Sequence, residues 1–232
     1  MAQSQMAIQQ GMTWKRESDL VVLELARSKS GEDELVIINE NWNDGGTSEV
    51  DVDENRPAFV YGALHAKRDS AGIVHVTVEP KANVDHQDFS FQFEHYVCIG
   101  GSPSNPEKPS KFVLFESKEF PNYFITWDLN VDMTDGGEAA EDMVKCEHLS
   151  KTSDGLPDIK ISPNGEIVKP DDSEIQRFVW VIPVDERNVP QFALKAYGRS
   201  YFMVFKQTTG KTLLVPSGEV NSEVTIFRLR SI

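Results

Sequence analysis

Cysteine is scarce in this chain, and the segments that mark a secreted or membrane-spanning protein are missing. Only Cys98 and Cys146 are cysteines, and neither context is typical of a catalytic or metal-binding thiol. The start lacks a basic segment followed by an apolar core, no Asn-x-Ser/Thr acceptor occurs, and no apolar run reaches the length of a membrane span. We therefore expect reduced thiols, synthesis in the cytoplasm without a signal peptide, and no membrane insertion.

Basic residues are also few in this sequence. Lys and Arg total 23 against 37 Asp and Glu, which gives a net charge of −14. A charge of this sign repels nucleic acids and heparin-like polymers, and the Lys and Arg residues form no cluster that provides a local exception. The charge therefore excludes nucleic acid as a partner and favours a partner with a basic or apolar surface.

The motifs for catalysis or cofactor binding are incomplete. Asp51-x-Asp53 begins like a calcium loop, but Arg56 stands where the turn glycine belongs. The segment Thr209–Thr212 copies the end of a phosphate-binding loop, yet Phe205 takes the place of its first glycine. The histidines lack metal-ligand spacing, and no local signature of a catalytic triad is present. These observations predict a protein that is not an enzyme and has no metal or cofactor.

Short apolar bursts separated by turn residues dominate what is present. Towards the end of the chain the bursts recur about every ten residues, with glycines in the gaps, at Phe192–Leu194, Tyr201–Phe205, Leu213–Val215 and Val224–Leu229. A related strand–turn–strand pattern occupies Lys111–Trp127, and no segment has sustained helical periodicity. The recurrence predicts an all-β fold that is built from a repeated unit.

We divide the sequence into a mobile tail, residues 1–17, and a single domain, residues 18–232. Within the domain the strand clusters suggest three lobes, at about 18–82, 88–184 and 188–232. A closed arrangement of these lobes hides the strand edges that an open sheet exposes.

Three passages resemble the interleukin-1 superfamily, and its interleukin-18-like members in particular. Phe115–Ile125 (FESKEFPNYFI) resembles the family's Phe-Glu-Ser phrase with its turn and aromatic strand. Gln191–Phe205 resembles the final lobe of these proteins, and Leu20–Val78 resembles the first lobe. The resemblance implies a β-trefoil of three four-stranded lobes, with loop insertions in the middle lobe at Gly100–Ser110 and Asn130–Pro157.

The same resemblance implies a function. It points to a non-enzymatic, cytokine-like protein ligand, monomeric and released from the cell, that binds an immunoglobulin-like receptor ectodomain through trefoil loops. The predicted partner-binding residues are a loop-adjacent tryptophan and the carboxylates of an acidic loop, namely Trp42, Asp132, Asp135, Glu138, Glu141 and Asp142. Asp19, at the end of Arg16-Glu-Ser-Asp, resembles a site of cleavage after an aspartate. The alternative is an intracellular or lectin-like trefoil that binds carbohydrate or a cytoskeletal protein.

Overall fold

Strands of alternating apolar and polar residues form most of the regular structure. In the segment VHVTVEP, Val74, Val76 and Val78 are buried while His75 and Thr77 are partly exposed, which is the pattern of a half-buried strand. The computed structural model of the protein describes residues 13–28, 58–99, 109–127, 144–161, 167–168, 180–181, 191–192, 194–196, 201–206, 211–216 and 226–232.

The described strands, in chain order, are β1 Thr13–Arg16, β2 Val21–Ser28, β3 Ala58–Arg68, β4 Val74–Pro80, β5 Gln92–Ile99, β6 Pro109–Ser117, β7 Tyr123–Trp127, β8 Val144–His148, β9 Lys160–Ile161, β10 Ile167–Val168, β11 Trp180–Val181, β12 Gln191–Phe192, β13 Lys195–Ala196, β14 Tyr201–Lys206, β15 Lys211–Pro216 and β16 Ile226–Ser231. Two short 3₁₀ helices occur at Lys81–Asn83 and Phe89–Phe91, and the described ranges contain no α-helix. Among the residues described, no helix has the length and apolar character needed to span a membrane.

Seven of these strands close into an antiparallel barrel. Around the ring the hydrogen-bonded order is β2–β3–β4–β8–β7–β6–β5 and back to β2. The all-β prediction is confirmed, but the β-trefoil prediction is wrong, because a trefoil needs equal contributions from three lobes. The ring takes β2 to β4 from the first predicted lobe and β5 to β8 from the second, and it is complete without the third.

The strand β2 is paired along both of its edges. β16 pairs with residues 21–26 along one edge. Two strands pair along the other edge, namely β5 at Val21 and Val22 and β3 from Glu24 onwards. Both β5 and β3 therefore pair along the same edge of β2, one after the other. This arrangement allows a ring with an odd number of strands to close through antiparallel pairs alone. A register shift between Leu25 and Ala26 adds an irregularity to the pairing with β3.

Gly62 lies where β3 is paired along both of its edges. It pairs with Leu25 of β2 on one side and with Pro80 of β4 on the other. A Cβ atom on Gly62 would lie only 2.0 Å from the carbonyl oxygen of Glu79. The close approach of β3 and β4 therefore depends on the missing side chain.

The remaining strands extend the sheet beyond the ring. β16 pairs with β2 and carries β12 on its far edge, while β15, β14, β13 and β11 form a path from β4 round to β6. β9 and β10 form a separate two-stranded sheet. The recurring bursts near the end of the chain do form strands, as the spacing predicts, but these strands pair outside the ring.

Among the described residues, buried apolar side chains form three groups, and the two larger ones are a main core and a second cluster. The main core fills the barrel and includes Leu23, Leu64, Phe93, Phe115, Ile125 and Cys146. A second cluster lies on the opposite face of β5 and β6 and contains Trp14, Tyr96, Cys98, Leu114, Phe124 and Ile159. Both cysteines are buried, and no disulfide joins them.

Part of the segment predicted as a mobile tail belongs to this second cluster. Thr13–Arg16 forms β1 and pairs antiparallel with β5, so that Trp14 is only 7% exposed. Its indole nitrogen donates a hydrogen bond of 2.6 Å to the carbonyl oxygen of Ile159. Burying an aromatic side chain of this size stabilises a fold by about 2–3 kcal/mol. That gain explains why these residues are ordered.

Candidate functional site

All of the residues predicted to bind a partner lie outside the described part of the chain. These are Trp42 and the acidic residues Asp132, Asp135, Glu138, Glu141 and Asp142. Their role stays a prediction.

Asp19, the predicted cleavage site, lies in the connection between β1 and β2. Its side chain is exposed and accepts a hydrogen bond of 3.1 Å from the Ser18 hydroxyl. Arg16, three residues earlier, is paired within β1 and forms an ion pair of 2.5 Å with Glu94. A protease would therefore meet an exposed aspartate that follows a paired strand, and cleavage would separate β1 from the barrel. Processing at this position stays a prediction.

An arginine, two aromatic rings and a histidine lie together beside the main core. We call Arg68, Phe120, Tyr123 and His148 the Arg68 patch. The Arg68 guanidinium carbon lies 4.8 Å from the centroid of the Phe120 ring and 5.4 Å from that of Tyr123. Both distances are within the range of a cation–π interaction. The rings of Tyr123 and His148 meet edge to face, with their centroids 5.8 Å apart.

Strand ends place three members of the patch. Arg68 is the last residue of β3, Tyr123 is the first residue of β7, and His148 is the last residue of β8. Tyr123 and His148 are opposite each other in the β7–β8 ladder. Phe120 and Tyr123 also pack against the main core. The patch is therefore fixed to the rigid part of the barrel, although Arg68 and His148 remain exposed.

The turn between β6 and β7 places the fourth member, Phe120. The Phe120 amide donates a hydrogen bond of 3.1 Å to the Ser117 hydroxyl, and the Asn122 amide donates one of 2.7 Å to a Glu116 carboxylate oxygen. Asn122 has a φ of 67°, in the left-handed region that asparagine tolerates better than most residues. The Glu-Ser and Pro-Asn pairs of this segment thus build the turn that presents the aromatic rings.

The carboxylate of Glu116 is itself held by a buried network. It accepts hydrogen bonds from the Tyr96 hydroxyl at 2.7 Å and forms an ion pair of 2.5 Å with Lys151, while its side chain is only 3% exposed. The Lys151 ammonium also lies 5.4 Å from the Tyr96 ring centroid. Burial, followed by the hydrogen bond to Glu116, raises the pKa of Tyr96, so this hydroxyl remains a donor. These contacts hold the Glu116 carboxylate in place, and Glu116 in turn holds the β6–β7 turn through the hydrogen bond from the Asn122 amide.

The β3–β4 hairpin carries a second local network next to Arg68. One Asp69 carboxylate oxygen accepts hydrogen bonds of 2.9 Å from the amides of Ala71 and Ile73, and the other lies 2.7 Å from His75 Nε2. The hydrogen bond from His75 is the largest cause of the lowered pKa of Asp69. The carboxylate is thus used within its own turn.

A further buried carboxylate, Glu24, lies on the outer face of β2. Arg228 contacts it with both Nε, at 3.0 Å, and Nη2, while Arg230 Nη1 lies at 3.3 Å and His86 Nε2 at 3.1 Å. Burial alone raises the pKa of Glu24, but hydrogen bonds from Arg228 and His86, with the charge of Arg228, outweigh it and hold the pKa below its usual value. This cluster joins β2 to β16 and has the character of a structural ion pair.

The Arg68 patch has the composition of a recognition surface. Arginine and tyrosine are enriched at the energetic centres of protein interfaces, particularly where they are held rigidly. The segments that supply Arg68, Phe120 and Tyr123 lie within Leu20–Val78 and Phe115–Ile125, which the sequence marks only as points of family resemblance. Arg68 and Tyr123 lie close together because β4 pairs with β8 between their strands, and no feature of the sequence indicates that pairing. Within the described ranges, no group of three or more His, Cys, Asp and Glu side chains is placed to hold a metal ion.

No model of a protein family matches the sequence of this chain, and no curated protein matches it.

Proposed function

We propose that this protein is a non-enzymatic, cytokine-like protein ligand that binds the ectodomain of a cell-surface receptor through the Arg68 patch. The observation that carries the proposal is the guanidinium of Arg68 lying across Phe120 and Tyr123, 4.8 and 5.4 Å from their ring centroids. Rigid aromatic rings beside an exposed cation are the side chains that dominate binding energy at protein interfaces. The proposal requires that the protein leave the cytoplasm, where it is synthesised.

The structure of the barrel supports a surface function over a function inside the barrel. Apolar side chains such as Leu23, Leu64, Phe93 and Ile125 fill its interior and are completely or almost completely buried. The exposed ends of the strands are therefore the natural place for contacts with another molecule. The acidic chain, with a net charge of −14, favours a partner whose surface is basic or apolar overall.

The proposal is tested by measuring binding to a panel of purified immunoglobulin-like receptor ectodomains by surface plasmon resonance. We expect one member to bind the wild-type protein, and we expect the variants Arg68→Ala and Tyr123→Ala each to weaken that binding by about tenfold or more. Lys81→Ala, in the 3₁₀ helix Lys81–Asn83 away from the patch, is the control and should bind like the wild type.

Two results would contradict the proposal. One is a complete absence of binding across the panel together with binding on a glycan array or co-sedimentation with actin filaments. That result would favour an intracellular or carbohydrate-binding module instead. The other is ectodomain binding that the Arg68 and Tyr123 substitutions leave unchanged, which would move the interface to another surface.

A further inference from the structure

We infer that the Arg68 patch recognises a carboxylate side chain of its partner, presented next to an apolar side chain. The inference rests on the proposed function, because it assigns the chemistry of the partner at the same surface.

Arg68 presents hydrogen-bond donors that a partner can use. Its guanidinium carbon lies 4.8 Å from the centroid of the Phe120 ring and 5.4 Å from that of Tyr123, and the planar guanidinium carries five N–H donors. Two of these N–H groups match the two oxygens of a carboxylate. The two rings restrict the motion of the guanidinium, which reduces the entropy lost on binding.

No acidic group in the described part of the protein uses these donors. Among the described residues, no carboxylate oxygen lies within the 4.0 Å of an ion pair from the Arg68 guanidinium. Asp69, the next residue in the chain, is engaged by its own hairpin through Ala71, Ile73 and His75. Arg68 is thus an exposed cation without an internal counter-ion in these ranges, on a chain whose net charge is −14.

The apolar part of the predicted partner follows from the rings. Phe120 and Tyr123 are partly exposed and continue the main core to the surface. An apolar side chain that covers them would exclude water from the adjacent ion pair and thereby strengthen it. The overall negative charge repels a strongly acidic partner at long range. The matching partner therefore has one well-placed carboxylate beside an apolar residue, on a surface that is otherwise neutral or basic.

The experiment selects binders from a phage-displayed library of random peptides on the full-length protein, and then measures each enriched peptide by fluorescence anisotropy. Arg68→Gln removes the charge and the fork of donors, and Arg68→Lys keeps only the charge. Lys67→Gln is the matched control, since it changes the net charge equally at the neighbouring position. The alternation of β3 places that residue on the opposite face of the strand.

We expect enriched peptides to carry Asp or Glu next to an aromatic or aliphatic residue. Arg68→Gln should weaken their binding by about 10–100-fold, Arg68→Lys by an intermediate factor, and Lys67→Gln by less than about twofold. Exchanging the peptide carboxylate for its amide should weaken binding to the wild type equally, but should have no further effect on Arg68→Gln, because both changes remove the same contact.

Three outcomes overturn the inference: a library that yields no peptide sensitive to Arg68, peptides that bind Arg68→Gln as tightly as the wild type, or peptides that tolerate loss of their carboxylate. Circular dichroism of each variant establishes that it is folded, and Arg68→Lys serves as the test if Arg68→Gln is not. If an ectodomain binds independently of Arg68, this inference is wrong, although a receptor-binding function is retained. If peptides bind through their carboxylate but no ectodomain binds, the receptor-binding function is wrong and this inference is retained.

Discussion

Substituting Arg228 should destabilise the protein far more than substituting Arg230, although both arginines contact the same carboxylate. Arg228 is opposite Glu24 in the β2–β16 ladder and contacts it with two nitrogens, and its side chain is 31% exposed. Arg230 makes one longer contact of 3.3 Å and is 54% exposed. The Glu24 side chain is only 3% exposed, and the two arginines cover part of it.

The magnitudes follow from what each substitution leaves behind. Removing one partner of a buried ion pair costs about 3–5 kcal/mol, because the remaining charge lacks compensation. Arg230 and His86 still contact Glu24 in Arg228→Met, and water reaches the opened site, so we expect a loss of about 2–3 kcal/mol. Arg230→Met removes an exposed ion pair and should cost less than about 1 kcal/mol. The double variant Glu24→Met/Arg228→Met should recover part of the loss, because it removes the uncompensated charge.

Urea denaturation followed by tryptophan fluorescence measures these free energies of unfolding. The difference between Arg228→Met and the wild type should narrow as the pH falls below 4.5, the usual pKa of a glutamate. In the wild type the lowered pKa of Glu24 means that the unfolded state binds its proton first, so stability is lost on acidification through that pKa. Arg228→Met loses much less stability on acidification, so its free energy of unfolding approaches that of the wild type. Equal effects of the two arginine substitutions, or a double variant whose cost is the sum of the singles, would refute this account of the cluster.

Three further predictions concern the core. Burial lowers the pKa of His95 despite the charges of Glu17 and Asp19, so the free energy of unfolding should decrease as the pH falls from about 6.5 towards that lowered pKa. In urea titrations at several pH values, His95→Phe should make this pH dependence weaker. Cys98 and Cys146 are buried, and burial raises the pKa of the Cys146 thiol, so both should react with a thiol reagent in urea but not in the native protein. Gly62→Ala should lower the free energy of unfolding by at least about 2 kcal/mol, because its Cβ would lie 2.0 Å from the Glu79 oxygen, and a wild-type urea midpoint would contradict this.

The sequence predicts the strands of this protein better than their arrangement. Alternation in Ile73–Val78 and the bursts at Tyr201–Phe205 and Leu213–Val215 predict strands, and the structure contains β4, β14 and β15 there. Periodicity reports which face of a strand is buried, but it does not report which strand lies alongside. The ring closes through pairs such as β4–β8 and β2–β5, which no turn or short connection specifies.

The candidate site was missed for a related reason. Arg68 and Tyr123 lie 55 positions apart in the numbering and meet only because β4 and β8 pair between them. Trp14 falls within the predicted tail because four residues give too short a pattern to indicate a strand, and its burial depends on Ile159. The acidic loop, by contrast, is conspicuous in the sequence but lies outside the described residues.

The pairing of β2 with β16 has a consequence for the synthesis of the protein. Glu24 and Arg228 are separated by 204 positions, so a ribosome adding roughly 5–20 residues per second needs about 10–40 seconds between them. Until β16 has been synthesised, the nascent chain lacks the strand that pairs along this edge of β2 and both arginines that contact Glu24. Nascent chains that are translated from the same messenger RNA can associate through such unpaired strand edges. Chaperone cover during translation should therefore matter more for its yield than the stability of the finished barrel suggests.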